Sequence, residues 1–170
     1  RIDKKVSYEN LLEFPKYIEI ETVNACNARC PMCTINDWER NYPVMRDNVF
    51  NKISDELIEY KKCLKRVSLY RDGEPLIDKK LPQRINKFFE NGISNTSIAT
   101  NVSLLNEKKS REILEAGLGL VIMSIDSLKK DVFEKIRVRL DFETVKQNAI
   151  KFLELRDKIN PNCRVWIRMI

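Results

Sequence analysis

The sequence predicts an α/β domain built on a parallel sheet. Two features carry this. Strand-like and helix-like hydrophobic patterns alternate from residue 17 to the end of the 170-residue chain. The residues unusual enough to do chemistry fall just after the strands, where parallel α/β folds build their functional face.

The elements follow in order. Residues 17–23 alternate and are rich in β-branched side chains, which reads as a strand. Phe50, Ile53, Leu57 and Tyr60 recur at three and four residues, the spacing of an amphipathic helix. Residues 66–70 form a second strand, and Leu81, Ile85, Phe88 and Phe89 a second helix with Gly92 at its C-terminal end. A third strand covers 96–100. Asn106 caps a third helix, which Gly117 closes. Residues 118–126 are apolar enough for a buried parallel strand. A short helical segment at 132–136 and a long helix behind the N-cap Asp141 lead to a fifth strand, 164–170. Right-handed crossovers join such units into a doubly wound or a barrel-like sheet.

Composition narrows the class. Hydrophobic residues are 43% of the chain, with 4 Gly and 6 Pro, so a packed core is expected rather than disorder. No uncharged apolar run of about 18 residues predicts a membrane helix. Residues 1–5 hold no signal core and no initiator Met, and the chain stops inside an apolar strand; a continuation past Ile170 is expected. There is no His, which removes imidazole bases and Cys/His zinc fingers from this segment. The net charge of +6 suits an anionic small substrate without calling for nucleic acid.

The 5 cysteines are an odd count, and three cluster as Cys26, Cys30 and Cys33 with CxxxCxxC spacing. This argues for metal chemistry in a reducing, cytoplasmic setting rather than a disulfide framework. Three thiolates leave one position open on a zinc ion or an iron–sulfur cubane, and an open position is where chemistry happens. Cys63 and Cys163 stand alone and read as buried or incidental thiols.

The other strand ends carry polar groups. Arg71, Asp72, Gly73, Glu74 and Pro75 follow the second strand, Thr100 and Asn101 the third, and Ser124 and Asp126 the fourth. Each has a plain structural alternative: a Gly/Pro turn, a second turn, and a cap for the helix at 132–136. Arg168 lies inside an otherwise apolar strand and needs a partner, either an ion-pair carboxylate or a ligand. Asn36, Asp37 and Trp38 read as loop.

With these residues on the page, the chain resembles the radical S-adenosylmethionine superfamily. The CxxxCxxC loop after the first strand is similar to that family's cluster signature. Asp72-Gly73-Glu74-Pro75 is similar to its Gly-Gly-Glu-Pro motif, with Asp72 in place of the first glycine. The resemblance runs from Tyr17 to Ile170. It implies one core domain over 1–170, a partial parallel (β/α)6 TIM-like barrel with five strands visible and the sixth beyond the chain. The segments 21–24 and 124–126 resemble members with a C-terminal SPASM or twitch extension.

The resemblance also implies roles. Cys26, Cys30 and Cys33 would bind a [4Fe–4S] cluster, and S-adenosyl-L-methionine would occupy the fourth iron. Its reductive cleavage would give a 5′-deoxyadenosyl radical that takes hydrogen from a small-molecule or peptide substrate, with flavodoxin or ferredoxin as electron donor. Gly73, Glu74 and Pro75 would offer carbonyls or a carboxylate to the cofactor's ammonium. Met32 would pack near the adenine. Thr100, Asn101, Ser124 and Asp126 would meet the ribose and methionine ends, and Arg137 the carboxylate. Arg168 would face cofactor or substrate. Two alternatives stay open: an activase that makes a glycyl radical on a partner protein, and a non-catalytic cluster or zinc module completed by Cys63, Cys163 or a residue outside the segment.

Overall fold

Sequence order and spatial order coincide in the sheet. The computed structural model describes residues 14–37 and 43–169; the readings placed on residues 1–5, Trp38 and Ile170 lie outside them. Its elements are β1 (Tyr17–Glu19), α1 (Asp47–Glu59), β2 (Arg66–Ser68), α2 (Leu81–Glu90), β3 (Thr96–Thr100), α3 (Glu107–Glu115), β4 (Leu120–Ser124), α4 (Lys130–Ile136), α5 (Phe142–Ile159) and β5 (Arg164–Arg168). The strands pair in parallel in the order β1-β2-β3-β4-β5.

That order decides between the two topologies left open by the sequence. A doubly wound sheet reverses direction at a switch point; this one never does. Right-handed crossovers that always step the same way put every helix on one side. The packing agrees: α1 meets α2, α2 meets α3, α3 meets α5, and α4 meets α5, in one layer. The sheet is the wall of a partial TIM-like barrel, helices outside and a concave face inside.

Register partners in a parallel sheet share a face. One face carries Ile18, Val67, Ile98, Val121, Met123 and Val165, which join the hydrophobic core beneath the helices. Phe50 and Phe88, edge to face with centroids 5.9 Å apart, anchor that core between α1 and α2. The other face carries Glu19, Ser68, Ser97, Ala99, Ile122, Ser124, Trp166 and Arg168. It mixes polar side chains with Ile122 and Trp166, and the Ser97 hydroxyl donates to that of Ser68 at 3.1 Å.

Helix ends follow the sequence reading. The Asn106 side chain accepts from Lys109 N–H and that of Asp141 from Thr144 N–H. Gly92 and Gly117 end α2 and α3 with left-handed backbone at φ +84° and +85°.

Strand ends differ from it. The first strand stops at Glu19 instead of residue 23, because Val23 turns away to bridge Val44 in antiparallel sense. The second stops at Ser68 instead of residue 70. The fourth covers 120–124, not 118–126: Leu118 N–H is taken by Ile113 O to finish α3. The helical segment is Lys130–Ile136, and its N-cap, Lys129, makes no side-chain cap bond. The cap reading of Ser124 and Asp126 is thereby corrected.

Candidate functional site

Four loops meet at the C-terminal ends of the strands. The cysteine loop leaves β1 and is pinned on two sides. Arg29 N–H donates to Val138 O at 3.0 Å, and Cys33 N–H to Cys30 O at 3.0 Å. The loop after β2 docks against it. Glu74 N–H donates to Ala25 O at 2.8 Å, and the Glu21 carboxylate accepts from the N–H groups of Asp72 and Gly73 at 3.0 and 3.2 Å. A Cβ on Gly73 would lie 2.0 Å from Val23 O, so this approach requires glycine.

The resulting cavity, about 280 Å³, is lined by all three clustered cysteines together with Met32, Gly73, Glu74, Thr100, Asn101, Ser124, Arg137 and Arg168. Arg71 and Asp72 stand at its mouth. The structure thus brings together every proposed metal ligand and eight of the ten proposed cofactor contacts. Pro75 and Asp126 are not among the lining residues. Pro75 is buried at the start of a single 3-10 turn, Pro75–Ile77. Asp126 is buried and pairs with the Arg137 guanidinium.

Two lining residues are already committed. The Glu74 carboxylate accepts three hydrogen bonds: Leu76 N–H at 3.1 Å, Thr100 Oγ1 at 2.8 Å and Asn101 N–H at 2.8 Å. Burial pushes its pKa above the ordinary value, with those three donors and Lys109 pulling the other way. Thr100 Oγ1 also accepts Val102 N–H at 3.0 Å. The Glu74 carboxylate is therefore a tie between two loops, and the surface this loop offers a ligand is its backbone.

The sequence offers a turn after β3, but not its left-handed backbone at Val102. Val102 is fully buried yet has φ +69°, a left-handed conformation that β-branched residues avoid. It is held there by Thr100 Oγ1 on its N–H and by Asn148 Nδ2, which donates to Val102 O and Ser103 O at 3.0 and 3.1 Å. Asn27 and Ser103 complete a small network around the Asn101 amide.

The thiols sit in a mixed environment. Burial raises the Cys26 pKa; the Ala28 N–H, 3.4 Å from its sulfur, works against this, while the Glu74 carboxylate and the other two thiols add to it. Among the described residues no three His, Cys, Asp or Glu side chains converge as a single-ion site. Cys63 precedes β2 and Cys163 precedes β5, at the opposite end of the sheet from the cysteine loop. Neither can complete a zinc site there.

Comparison with known proteins follows this geometry. The chain is 31% identical over 113 residues to the tungsten-containing aldehyde ferredoxin oxidoreductase cofactor-modifying protein of Pyrococcus furiosus, covering 66% of this chain and 31% of that protein. It is 30% identical over 150 residues to the GTP 3′,8-cyclase of Clostridium botulinum, covering 82% and 44%. The chain thus spans less than half the length of these relatives. Its fold matches that of Streptococcus suis SuiB, solved bound to the precursor peptide SuiA, with TM-score 0.69 and 22% identity over 92% of this chain and 33% of that one. The sequence profile of the Radical SAM superfamily matches residues 20–167, and the chain belongs to that superfamily.

Proposed function

We propose that this chain is the core of an enzyme in which Cys26, Cys30 and Cys33 hold three irons of a [4Fe–4S] cluster and S-adenosylmethionine takes the fourth. The superfamily's cofactors are this cluster and S-adenosylmethionine. The donor set fits: three thiols, soft ligands for iron, face one cavity with polar strand ends around them. That convergence is the observation that carries the reading. When bound, the pair supplies a one-electron cleavage that yields the 5′-deoxyadenosyl radical and allows hydrogen abstraction from an unactivated position.

The chain's own residues bind and orient. Gly73 and the backbone beside it present acceptors where the cofactor's ammonium would lie. Ser124 offers a hydroxyl from its strand end, while the Asn101 amide is held by Asn27 and Ser103 and faces the Cys26 sulfur. Arg137, with its Nε on Asp126 and its Nη1 on the Cys30 sulfur, has its remaining Nη2 for a carboxylate. Burial works against its charge, and the Asp126 carboxylate together with Cys30 more than offsets this, so its pKa lies above the ordinary value. Arg168 shares the concave face with Ser124 and serves substrate or cofactor. Met32, on the rim, packs on the adenine.

The substrate is a small molecule or a peptide, as the relatives' GTP cyclisation and peptide binding illustrate. A flavodoxin or ferredoxin supplies the electron. All five cysteines are free thiols, which suits the reducing cytoplasm.

The test is anaerobic reconstitution of the full-length protein with iron and sulfide, followed by S-adenosylmethionine and dithionite. 5′-Deoxyadenosine is the expected product, and Cys30→Ala loses both cluster and product. An intact cluster that leaves S-adenosylmethionine uncleaved would sink the proposal.

A further inference from the structure

Cys26 and Cys30 each have a side-chain N–H aimed at the sulfur. Asn101 Nδ2 lies 3.8 Å from Cys26 Sγ, and Arg137 Nη1 lies 3.8 Å from Cys30 Sγ. Both are hydrogen bonds of the length a large, soft sulfur allows.

Each donor residue is also bound to a buried carboxylate, Asn101 through its backbone N–H and Arg137 through its guanidinium. Asn101 N–H is held by Glu74 Oε2 at 2.8 Å, and its amide oxygen accepts from Ser103 N and Oγ at 3.0 and 2.7 Å. The same amide nitrogen donates to Asn27 Oδ1 at 2.9 Å. The left-handed backbone of Val102 directly follows and sets the turn. Arg137 is held through Nε by Asp126, whose side chain is fully buried. The two anchors come from different loops, one after β2 and one after β4, yet produce the same arrangement at two sulfurs.

N–H groups donated to ligating sulfur withdraw electron density and favour the reduced, more negative cluster, which raises its reduction potential. We propose that Asn101 and Arg137 are potential-setting residues for the cluster, acting through hydrogen bonds to Cys26 and Cys30 and positioned by Glu74 and Asp126. The proposal rests on the reading that the three cysteines hold a [4Fe–4S] cluster.

The experiment is a potentiometric titration of the anaerobically reconstituted full-length protein, without S-adenosylmethionine, followed by the electron paramagnetic resonance signal of the reduced cluster. Asn101→Leu and Arg137→Met should each move the midpoint to a more negative value. In the double variant the ratio of reduced to oxidised cluster, read at the wild-type midpoint, should fall at least tenfold, which is about 59 mV for one electron. Arg137→Gln, which keeps an N–H donor, should fall between wild type and Arg137→Met. If Asn101→Leu fails to fold or to load iron, Asn101→Ala removes the donor without adding a charge, and it should shift the midpoint in the same direction. A merely structural role would lower the unfolding temperature and leave the potential where it is. Midpoints unchanged in cluster-loaded variants overturn the proposal alone. A wild-type protein that assembles no four-iron cluster overturns the functional reading as well.

Discussion

The two faces of the sheet do different work with the same strands. The helix-covered face is mostly apolar, with Val67, Ile98 and Val121 fully buried. The concave face opposes it residue for residue with Ser68, Ser97, Ala99, Ser124 and Arg168. Because side chains alternate, each strand contributes to stability and to the site without either compromising the other. Loops at the strand ends then add the thiols and the donors.

This division predicts unequal responses to mutation. Phe88→Ala, on the helix side, should cost about 3–5 kcal/mol, seen as a large drop in the unfolding midpoint. Cys30→Ala, at the site, should remove the cluster while costing the apoprotein far less; equal losses of stability would break the comparison.

Glu74 lies where the two faces meet the loops, and its replacement should be intermediate. Glu74→Gln turns an accepting oxygen into a donor facing Asn101 N–H, at an expected cost of about 1–3 kcal/mol. Its titration adds a second readout. Burial raises the folded-state pKa above 4.5, so the folded protein holds this proton more tightly than the unfolded chain. Its contribution to stability is therefore present below about 4.5 and lost as the pH rises through the raised folded value. Subtracting the Glu74→Gln curve from wild type across the acid range should show that decline; a difference that grows with pH would contradict it.

Smaller effects sharpen the contrast. Val102→Gly relieves a left-handed valine but gives up a buried side chain, two terms of about 1–3 kcal/mol that oppose each other. A net change within about 1 kcal/mol is expected in thermal unfolding. Arg168→Gln, exposed on the concave face, should change stability by less than about 0.5 kcal/mol. The thiols at the far end give the weakest signal. Burial pushes Cys163 up to about 11, so it should resist alkylation at mildly alkaline pH, while the partly exposed Cys63 labels; peptide mass spectrometry would read both.

Much of this was legible in the sequence, for physical reasons. Cap residues act locally, so Asn106, Asp141, Gly92 and Gly117 could be placed from their neighbours alone. The cysteine spacing gathers the proposed cluster ligands in a single loop. Strand ends were harder, because apolar residues continue past the paired segments at 20–23 and 118–119. The sequence offers Asp126 as a cofactor contact or a helix cap, and the partner that claims it, Arg137, lies at the other end of α4. Val102 gave no sign at all. Its conformation is imposed by Thr100 and by Asn148, 46 residues away, and valine itself would choose an extended backbone.

The unreversed strand order has a consequence for how such a chain is made. Each strand needs only its immediate predecessor to pair, so the sheet can grow from β1 as the polypeptide leaves the ribosome. The loop bearing the thiols is then synthesised with the first strand, well before the wall that carries Ser124 and Arg168. During that interval the thiols face an unfinished enclosure, open to whatever delivers iron and sulfide.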